Sequence, residues 1–213
     1  MQIKGVLFDL DQTLIDFEKM KRESCKAALE SMVKAGLVLD LEKGLEKLMD
    51  TYYRVGIESN KAFEEFLKEQ MGFIDKKILE AGIKGYDEAK PQFVKPYPHV
   101  LEILNFLKMK NVKIGIVTDA PREKTLYRLE KMKIIHFFDV IVTSSEVPEK
   151  KPSKIPFKMA LTLLSLKPPE VLYVGDSIER DIKPARSLGM KTLHIKTPTD
   201  LKKIKRFFKL QKT

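Results

Sequence analysis

A single cysteine, Cys25, three histidines and no tryptophan occur among the 213 residues. One cysteine excludes an intrachain disulfide and fits a reducing compartment. His99, His136 and His194 lack the spacing of a metal-binding set and read as structural. No stretch approaches the roughly 18 uncharged apolar residues of a membrane span, and the opening MQIKGVLF lacks a signal-peptide layout, so a cytoplasmic protein is predicted. The absence of a glycine-rich phosphate loop argues against an ATP-dependent kinase. Ser144, Ser145 and Ser177 have neither a nucleophile elbow nor an evident His partner, which disfavours a serine hydrolase. Internal repeats and low-complexity segments are also missing.

What remains is a chain long enough for one domain and a smaller second one. Its hydrophobic content of 43% and charged content of 33% describe a globular protein that stays off membranes. The net charge of +10 comes from 40 Lys and Arg against 30 Asp and Glu. These cations are spread along the chain and no nucleic-acid-binding motif accompanies them. They read as a solvated surface favouring anionic substrates, with no nucleic-acid partner expected. The Lys- and Glu-rich composition, poor in Asn and Gln, resembles that of heat-adapted proteins.

The chain is organised around Phe8-Asp9-Leu10-Asp11-Gln12-Thr13. The apolar run Ile3 to Leu7 reads as a buried strand, which puts Asp9 and Asp11 where the strand gives way to a loop. Two acids there are costly to bury unpaired, and a divalent cation would offset the cost. Apolar spacing then turns helical. Cys25, Ala28, Leu29, Met32 and Val33 form one stripe and Leu41, Leu45, Leu48, Met49 and Tyr52 another. Phe63, Phe66 and Leu67 form a third, with Ser59 and Asn60 as caps; Ile74, Ile78 and Leu79 suggest a fourth, ending near Gly82 or Gly85. The segment 16–95 is thus an all-helical insertion, closed by the proline-rich Pro91 to Pro98 that pairs with Asp16-Phe17 as a hinge.

Beyond it, helices alternate with strands at Val112 to Val117, Val140 to Val142, Val171 to Val174 and Thr192 to Ile195. This alternation predicts an α/β fold, a parallel sheet covered on both faces with ligands at the carboxyl ends of its strands. A single helix is expected over Ile178 to Leu188. The last segment, Thr199 to Lys212, reads as an amphipathic helix docked on the sheet with a basic outer face. At the strand ends stand Asp9 and Asp11, Thr118 and Asp119, and Asp176 with Asp181 five positions on; Lys151 lies in the connection before the fourth strand. If the strands are parallel, carboxylates, a hydroxyl and an ammonium converge on one rim, a set suited to Mg²⁺ and a phosphoryl group rather than zinc.

The motifs DLDQT at Asp9 to Thr13, IVTD ending in Thr118 and Asp119, KPSKIPF from Lys151, and VGDSIERD with Asp176 and Asp181 resemble those of the haloacid dehalogenase superfamily. The resemblance spans the chain and implies a Rossmann-like, doubly wound, five-stranded core of residues 1–15 and 96–213. Its strand order would be fifth, fourth, first, second, third, with 16–95 as an inserted helical cap. PYPHV looks like the return linker, with His99 where Gly is common. By motif position, Asp9 is the nucleophile that forms an aspartyl phosphate and Asp11 the acid and base. Asp9, the Asp11 carbonyl and Asp176 would hold Mg²⁺. Thr118 and Lys151, with backbone N–H groups near Leu10 and Asp119, would hold the phosphoryl oxygens, and Asp181 would act from behind Lys151 or a metal-bound water. The implied activity is hydrolysis of a small phosphorylated metabolite.

Three other readings stand beside it. One is a phosphomutase. Another is a phosphonatase, which needs a lysine such as Lys19, Lys21 or Lys61. The third, from a different class, is a basic nucleic-acid-binding or anion-binding protein with vestigial activity. Phe17, Lys21, Arg22, Tyr53 and Arg54 are the specificity candidates of the insertion, and no spacing selects among them.

Overall fold

The computed structural model describes residues 2–209. Strand β1 (Gly5–Phe8) leads into four helices, α1 (Phe17–Ala35), α2 (Leu41–Val55), α3 (Ala62–Met71) and α4 (Lys76–Ala89). Helices and strands then alternate as α5 (Val100–Met109), β2 (Lys113–Val117), α6 (Arg122–Lys131), β3 (Val140–Val142), α7 (Ile155–Leu164), β4 (Val171–Gly175), α8 (Lys183–Ser187) and β5 (Lys191–His194). A 3₁₀ segment, Pro198–Lys205, and a short α9 (Arg206–Lys209) follow. Phe17–Val94 forms one compact unit, and the described residues on either side of it form the other. Among the described residues no helix is long and apolar enough to cross a membrane.

The second unit is a five-stranded, all-parallel sheet in the order β3-β2-β1-β4-β5. β1 is central, with Phe8 beside Ile116 on one flank and Val174 on the other. Its four residues are all buried, as expected of a strand covered on both faces. Because every strand runs the same way, the residues that follow β1, β2 and β4 emerge at one edge. Phe157, Ala160, Leu161 and Leu164 of α7 cover one region of the sheet, packing with Leu7, Val117 and Tyr173. Ile15 and Pro96 pair as an antiparallel bridge, and Tyr97 N–H donates to the Leu14 carbonyl at 2.8 Å, so the chain leaves and re-enters this unit side by side.

In the helical unit the apolar stripes of α1 to α4 meet in one core of Cys25, Leu29, Met32, Leu48, Tyr52, Phe66 and Ile78. Burial pushes the Cys25 thiol up to about 12, which makes it core rather than nucleophile. Two expectations fail here. Helix α4 does not stop at Gly82 or Gly85 but continues to Ala89. The glycines are where α4 lies against α1: a methyl group at Gly82 would fall 2.0 Å from Met32 Cε, and one at Gly85 would fall 2.8 Å from the Ala27 carbonyl oxygen. Close helix approach, not termination, places them. At α3 the cap position is Lys61, with no side-chain cap bond; the Ser59 hydroxyl accepts from the Lys61 N–H at 3.2 Å instead.

Two further segments depart from expectation in the sheet unit. The stretch 178–188 is not one regular helix: it opens as a π-helical turn, Ile178–Ile182, before α8. Pro184, at the start of α8, has no N–H to donate backward. The amphipathic 199–212 segment is 3₁₀ through Lys205. Its buried Leu201 and Ile204 lie three residues apart, the repeat of a 3₁₀ helix. The end of that segment, 210–212, lies outside the described residues.

Candidate active site

The site begins where β1 ends. The Asp9 N–H donates to the Val174 carbonyl at 2.9 Å, which carries the ladder one residue beyond the strand and fixes where the Asp9 carboxylate leaves the sheet. The Leu10 carbonyl then accepts from Leu14 N–H at 2.8 Å, and Gln12 takes a left-handed conformation with φ of 59°. This turn folds Thr13 back so that its hydroxyl donates to Asp9 Oδ2 at 3.2 Å. Leu10, between the two acids, is fully buried.

Asp9 is only 5% exposed, and its other oxygen, Oδ1, lies 2.6 Å from Lys151 Nζ. The same ammonium reaches Asp181 Oδ1 at 2.6 Å and the Tyr173 hydroxyl at 3.3 Å. Asp181 comes from the π-helical turn and is held at both oxygens. The Ser177 N–H donates to Oδ2 at 3.1 Å, and the Tyr173 hydroxyl donates to Oδ1 at 3.0 Å. A surface pair of Asp181 with Arg180 or Lys183 does not form. Arg180 binds Asp119 at 2.7 Å and Lys183 binds Glu179 at 2.5 Å.

Thr118 extends β2 by donating its N–H to the Val142 carbonyl, and its buried hydroxyl accepts from Ala120 N–H at 3.2 Å. The Asp119 carboxylate is engaged within the protein. It accepts from the Lys151 N–H at 2.9 Å and from Arg180, which fastens the Lys151 loop to the end of β2. Only its backbone N–H remains for an anion. Asp176 is half-buried after β4, and its carbonyl accepts from His194 Nε2 at 2.7 Å, which gives that histidine a structural task. Carboxylate oxygens of Asp9, Asp176 and Asp181 lie within 4.8 Å of one another.

Two residues absent from the motif reading join this set. Arg128 of α6 is 1% exposed, and its Nη1 lies 3.2 Å from Oδ1 and 3.1 Å from Oδ2 of Asp11. Its signal was a charged residue on the buried face of a helix, between Thr125 and Leu129. Tyr173 is a polar-tipped residue in the apolar run of β4, where its ring packs on Phe157 with centroids 4.9 Å apart.

Five carboxyl groups, those of Asp9, Asp11, Asp119, Asp176 and Asp181, gather at the rim, where Lys151 bonds Asp9 and Asp181, Arg128 bonds Asp11 and Arg180 bonds Asp119. Burial, opposed by Lys151 and reinforced by Asp181 and Asp11, pushes the Asp9 carboxyl up to about 8. Asp176 is raised as well, chiefly by burial and then by Asp181. Burial alone would lower Lys151, yet Asp9 and Asp181 hold it above its ordinary value, so the ammonium stays charged. An all-oxygen set of crowded carboxylates whose pKa values are raised by burial and by one another fits one hard divalent cation. Asp9, Asp176 and Asp181 are the side chains grouped closely enough to hold it directly or through water.

In the helical unit, of the lysines considered for covalent chemistry, Lys21 is buried and Lys19 and Lys61 are exposed. Lys21 Nζ lies 3.4 Å from the centroid of the Tyr52 ring and 3.3 Å from the Tyr86 hydroxyl. Arg22 and Arg54 make surface pairs with Glu46 and Glu69, and Tyr53 is exposed.

Residues 6–195 match the haloacid dehalogenase-like hydrolase family. A glyceraldehyde 3-phosphate phosphatase of Methanocaldococcus jannaschii is 38% identical over 193 residues, which cover 91% of this chain and 85% of that protein. In fold, the chain resembles a protein of Thermotoga maritima described as a β-phosphoglucomutase, with a TM-score of 0.74, 23% identity and coverage of 97% and 99% of the two chains. It also resembles Bacillus subtilis YfnB, described as a HAD-hydrolase and bound to magnesium, with a TM-score of 0.69, 20% identity and coverage of 92% and 89%. The chain belongs to the haloacid dehalogenase-like hydrolase family. Within that family it is a phosphatase, a hydrolase of phosphoric monoesters.

Proposed function

We propose that the protein is a cytoplasmic, Mg²⁺-dependent phosphatase that hydrolyses a small phosphorylated metabolite through an aspartyl phosphate on Asp9. One observation carries the reading: Asp9 sits at the end of the central strand with Lys151 at 2.6 Å and with carboxylate oxygens of Asp176 and Asp181 within 4.8 Å. Asp9, the Asp11 carbonyl and Asp176 would hold the metal, which would neutralise charge on the phosphoryl oxygens. An Asp9 oxygen attacks phosphorus in line, forming the Asp9 oxygen–phosphorus bond as the bond to the leaving oxygen breaks. Asp11 gives that oxygen its proton. A water then attacks the phosphorus and loses a proton to Asp11, and the bond to Asp9 breaks to release inorganic phosphate. Lys151, Thr118 and the N–H groups of Leu10 and Asp119 hold the phosphoryl oxygens; Asp181 and Tyr173 keep the Lys151 ammonium aimed at them.

The helical insertion, taken as 16–95 with the core as 1–15 and 96–213, serves as a cap that selects substrate. Glyceraldehyde 3-phosphate, named for a relative 38% identical, is the first substrate to try. The test is phosphate release from glyceraldehyde 3-phosphate, phosphoglycolate, sugar phosphates and nucleoside monophosphates, with and without Mg²⁺, by wild type, Asp9→Asn and Asp11→Asn. Turnover that requires Mg²⁺ and is abolished by Asp9→Asn is expected. No Mg²⁺-dependent turnover on any ester would sink the reading, and strong, salt-sensitive binding to nucleic acid would then favour the rival.

A further inference from the structure

The buried guanidinium of Arg128 has no part in the chemistry just described, and its charge needs a reason. Enclosing an ion is costly, and a well-packed apolar side chain of similar volume would serve a core position at least as well. Arg128 stands on the inner face of α6 beside Leu129, where methionine or leucine would satisfy packing alone. What its charge does is visible at Nη1, which lies 3.1–3.2 Å from both oxygens of Asp11.

The backbone of Asp11 is already fixed. It bridges to Ile15, and the next residue closes the turn through its N–H to the Ile15 carbonyl at 2.8 Å. The direction of the carboxylate turns on its side-chain torsions, and the Asp11 side chain is 25% exposed, so polar contacts and not packing alone set it. Arg128 supplies a fixed, charged donor from the protein side. We infer that Arg128 is the positioning residue for Asp11: it sets the carboxylate orientation from which a proton reaches the leaving oxygen. This rests on the acid–base role proposed for Asp11, through which Arg128 acts.

A role exercised through Asp11 predicts a dependence on the leaving group that a structural role does not. An alkyl phosphate needs its leaving oxygen protonated, whereas nitrophenolate departs without a proton. The kcat/KM value covers steps through the first irreversible one, the loss of the leaving group, and so isolates this half of the reaction. General acid catalysis contributes about 10²–10⁴-fold, and a misaimed acid should forfeit a good part of it.

The experiment measures kcat/KM at saturating Mg²⁺ for glycerol phosphate and p-nitrophenyl phosphate. It uses wild type, Arg128→Met, Arg128→Lys, Asp11→Asn and the Arg128→Met/Asp11→Asn double variant. For Arg128→Met we expect roughly a tenfold or greater loss on the alkyl ester and a change within about threefold on the aryl ester. The lysine variant should recover part of the alkyl rate. The double variant should be no slower on the alkyl ester than Asp11→Asn, because coupled residues are non-additive. If Arg128→Met does not fold, the lysine variant carries the test through the same selectivity. Equal losses on both esters, no loss on either, or additive losses in the double variant would overturn the inference. If Asp11→Asn itself shows no selectivity for the alkyl ester, the acid–base reading of Asp11 has failed; selectivity in Asp11→Asn without it in Arg128→Met overturns only the role of Arg128.

Discussion

Gly175 offers a way to move the Lys151 network without deleting any of its members. It closes β4 with a backbone outside the left-handed region, so Gly175→Ala is a steric change and not a conformational one. The new methyl carbon would stand 2.6 Å from Cγ and from Oδ2 of Asp181. Restoring ordinary contact at about 3.4 Å pushes that carboxylate about 0.8 Å away from β4. Asp181 Oδ1 holds Lys151 Nζ at 2.6 Å, and the ammonium also bonds Asp9 Oδ1, so the displacement passes to the group proposed to grip the phosphoryl oxygens. A misplacement of about 1 Å costs about 10²-fold in rate. Overpacking costs about 1–3 kcal/mol of stability, and about 2–4 °C of Tm for each kcal/mol in a chain of this size. Gly5→Ala is the control. Its methyl would meet Leu166 Cδ1 at 2.5 Å, at the amino end of β1, with a similar strain and no path to Asp181. Thermal melts followed by circular dichroism, with kcat for p-nitrophenyl phosphate well below Tm, separate the two effects. Gly175→Ala should remain folded and lose about 10²-fold in kcat, while Gly5→Ala keeps kcat near the wild-type value. A folded Gly175→Ala enzyme within twofold of wild type would refute the placement of Asp181 behind Lys151.

Two predictions concern stability alone. The Asp200 carboxylate accepts from the Lys196 and Thr197 N–H groups at 2.9 Å and pairs with Lys203 at 2.5 Å; the Lys203 contact and these N–H bonds hold it well below the usual carboxylate range. Asp200→Ala should cost about 1 kcal/mol at neutral pH, as lost caps do. Because the folded carboxyl is depressed, that contribution is full above the ordinary Asp value of about 3.9 and is lost as pH falls through the folded one, so the Tm gap must narrow on acidification; a gap that widens contradicts the assignment. At Gly85, alanine gains about 1 kcal/mol of helix propensity but meets the Ala27 carbonyl oxygen at 2.8 Å and Ser31 Oγ at 2.2 Å. Overpacking of about 1–3 kcal/mol should win and lower the Tm, whereas a raised Tm would mean that α1 and α4 separate readily.

The sheet could be read from the alternation of short apolar runs with helical stripes because strands buried on both faces leave an uninterrupted apolar signature. Gly82 and Gly85 show where such reading stops. Glycine ends helices in isolation, yet here the decisive fact is how near α1 comes, which no local pattern encodes. The 199–212 segment failed for a related reason, since apolar residues three apart satisfy a 3₁₀ helix as well as an α-helix. At the rim, motif order pointed to Asp9, Thr118, Lys151, Asp176 and Asp181, because each follows a strand or a fixed connection. Thr13 was legible as a motif letter but not as a donor to Asp9, which depends on the turn at Gln12. Arg128 and Tyr173 were hidden because their elements, an amphipathic helix and an apolar strand, explain themselves by packing. Their polar ends gain meaning only once the opposing acids are in place. His99 repeats the lesson in reverse: where the resemblance suggested Gly, the backbone is left-handed, with φ of 72°, and the histidine bears that strain while pairing with Glu102 at 3.1 Å.

The proposed mechanism requires a carboxylate oxygen of Asp9 to take the phosphoryl group. Wild type and Asp11→Asn, mixed with p-nitrophenyl phosphate and Mg²⁺ and quenched in acid within one turnover, can be digested and the peptides weighed. One added phosphoryl group is expected on the peptide carrying Asp9, more of it in Asp11→Asn because the hydrolytic water has lost its proposed base, and none in Asp9→Asn, which should also fail to turn over. Turnover in Asp9→Asn at the wild-type rate, or a phosphoryl group found on any other residue, would contradict it.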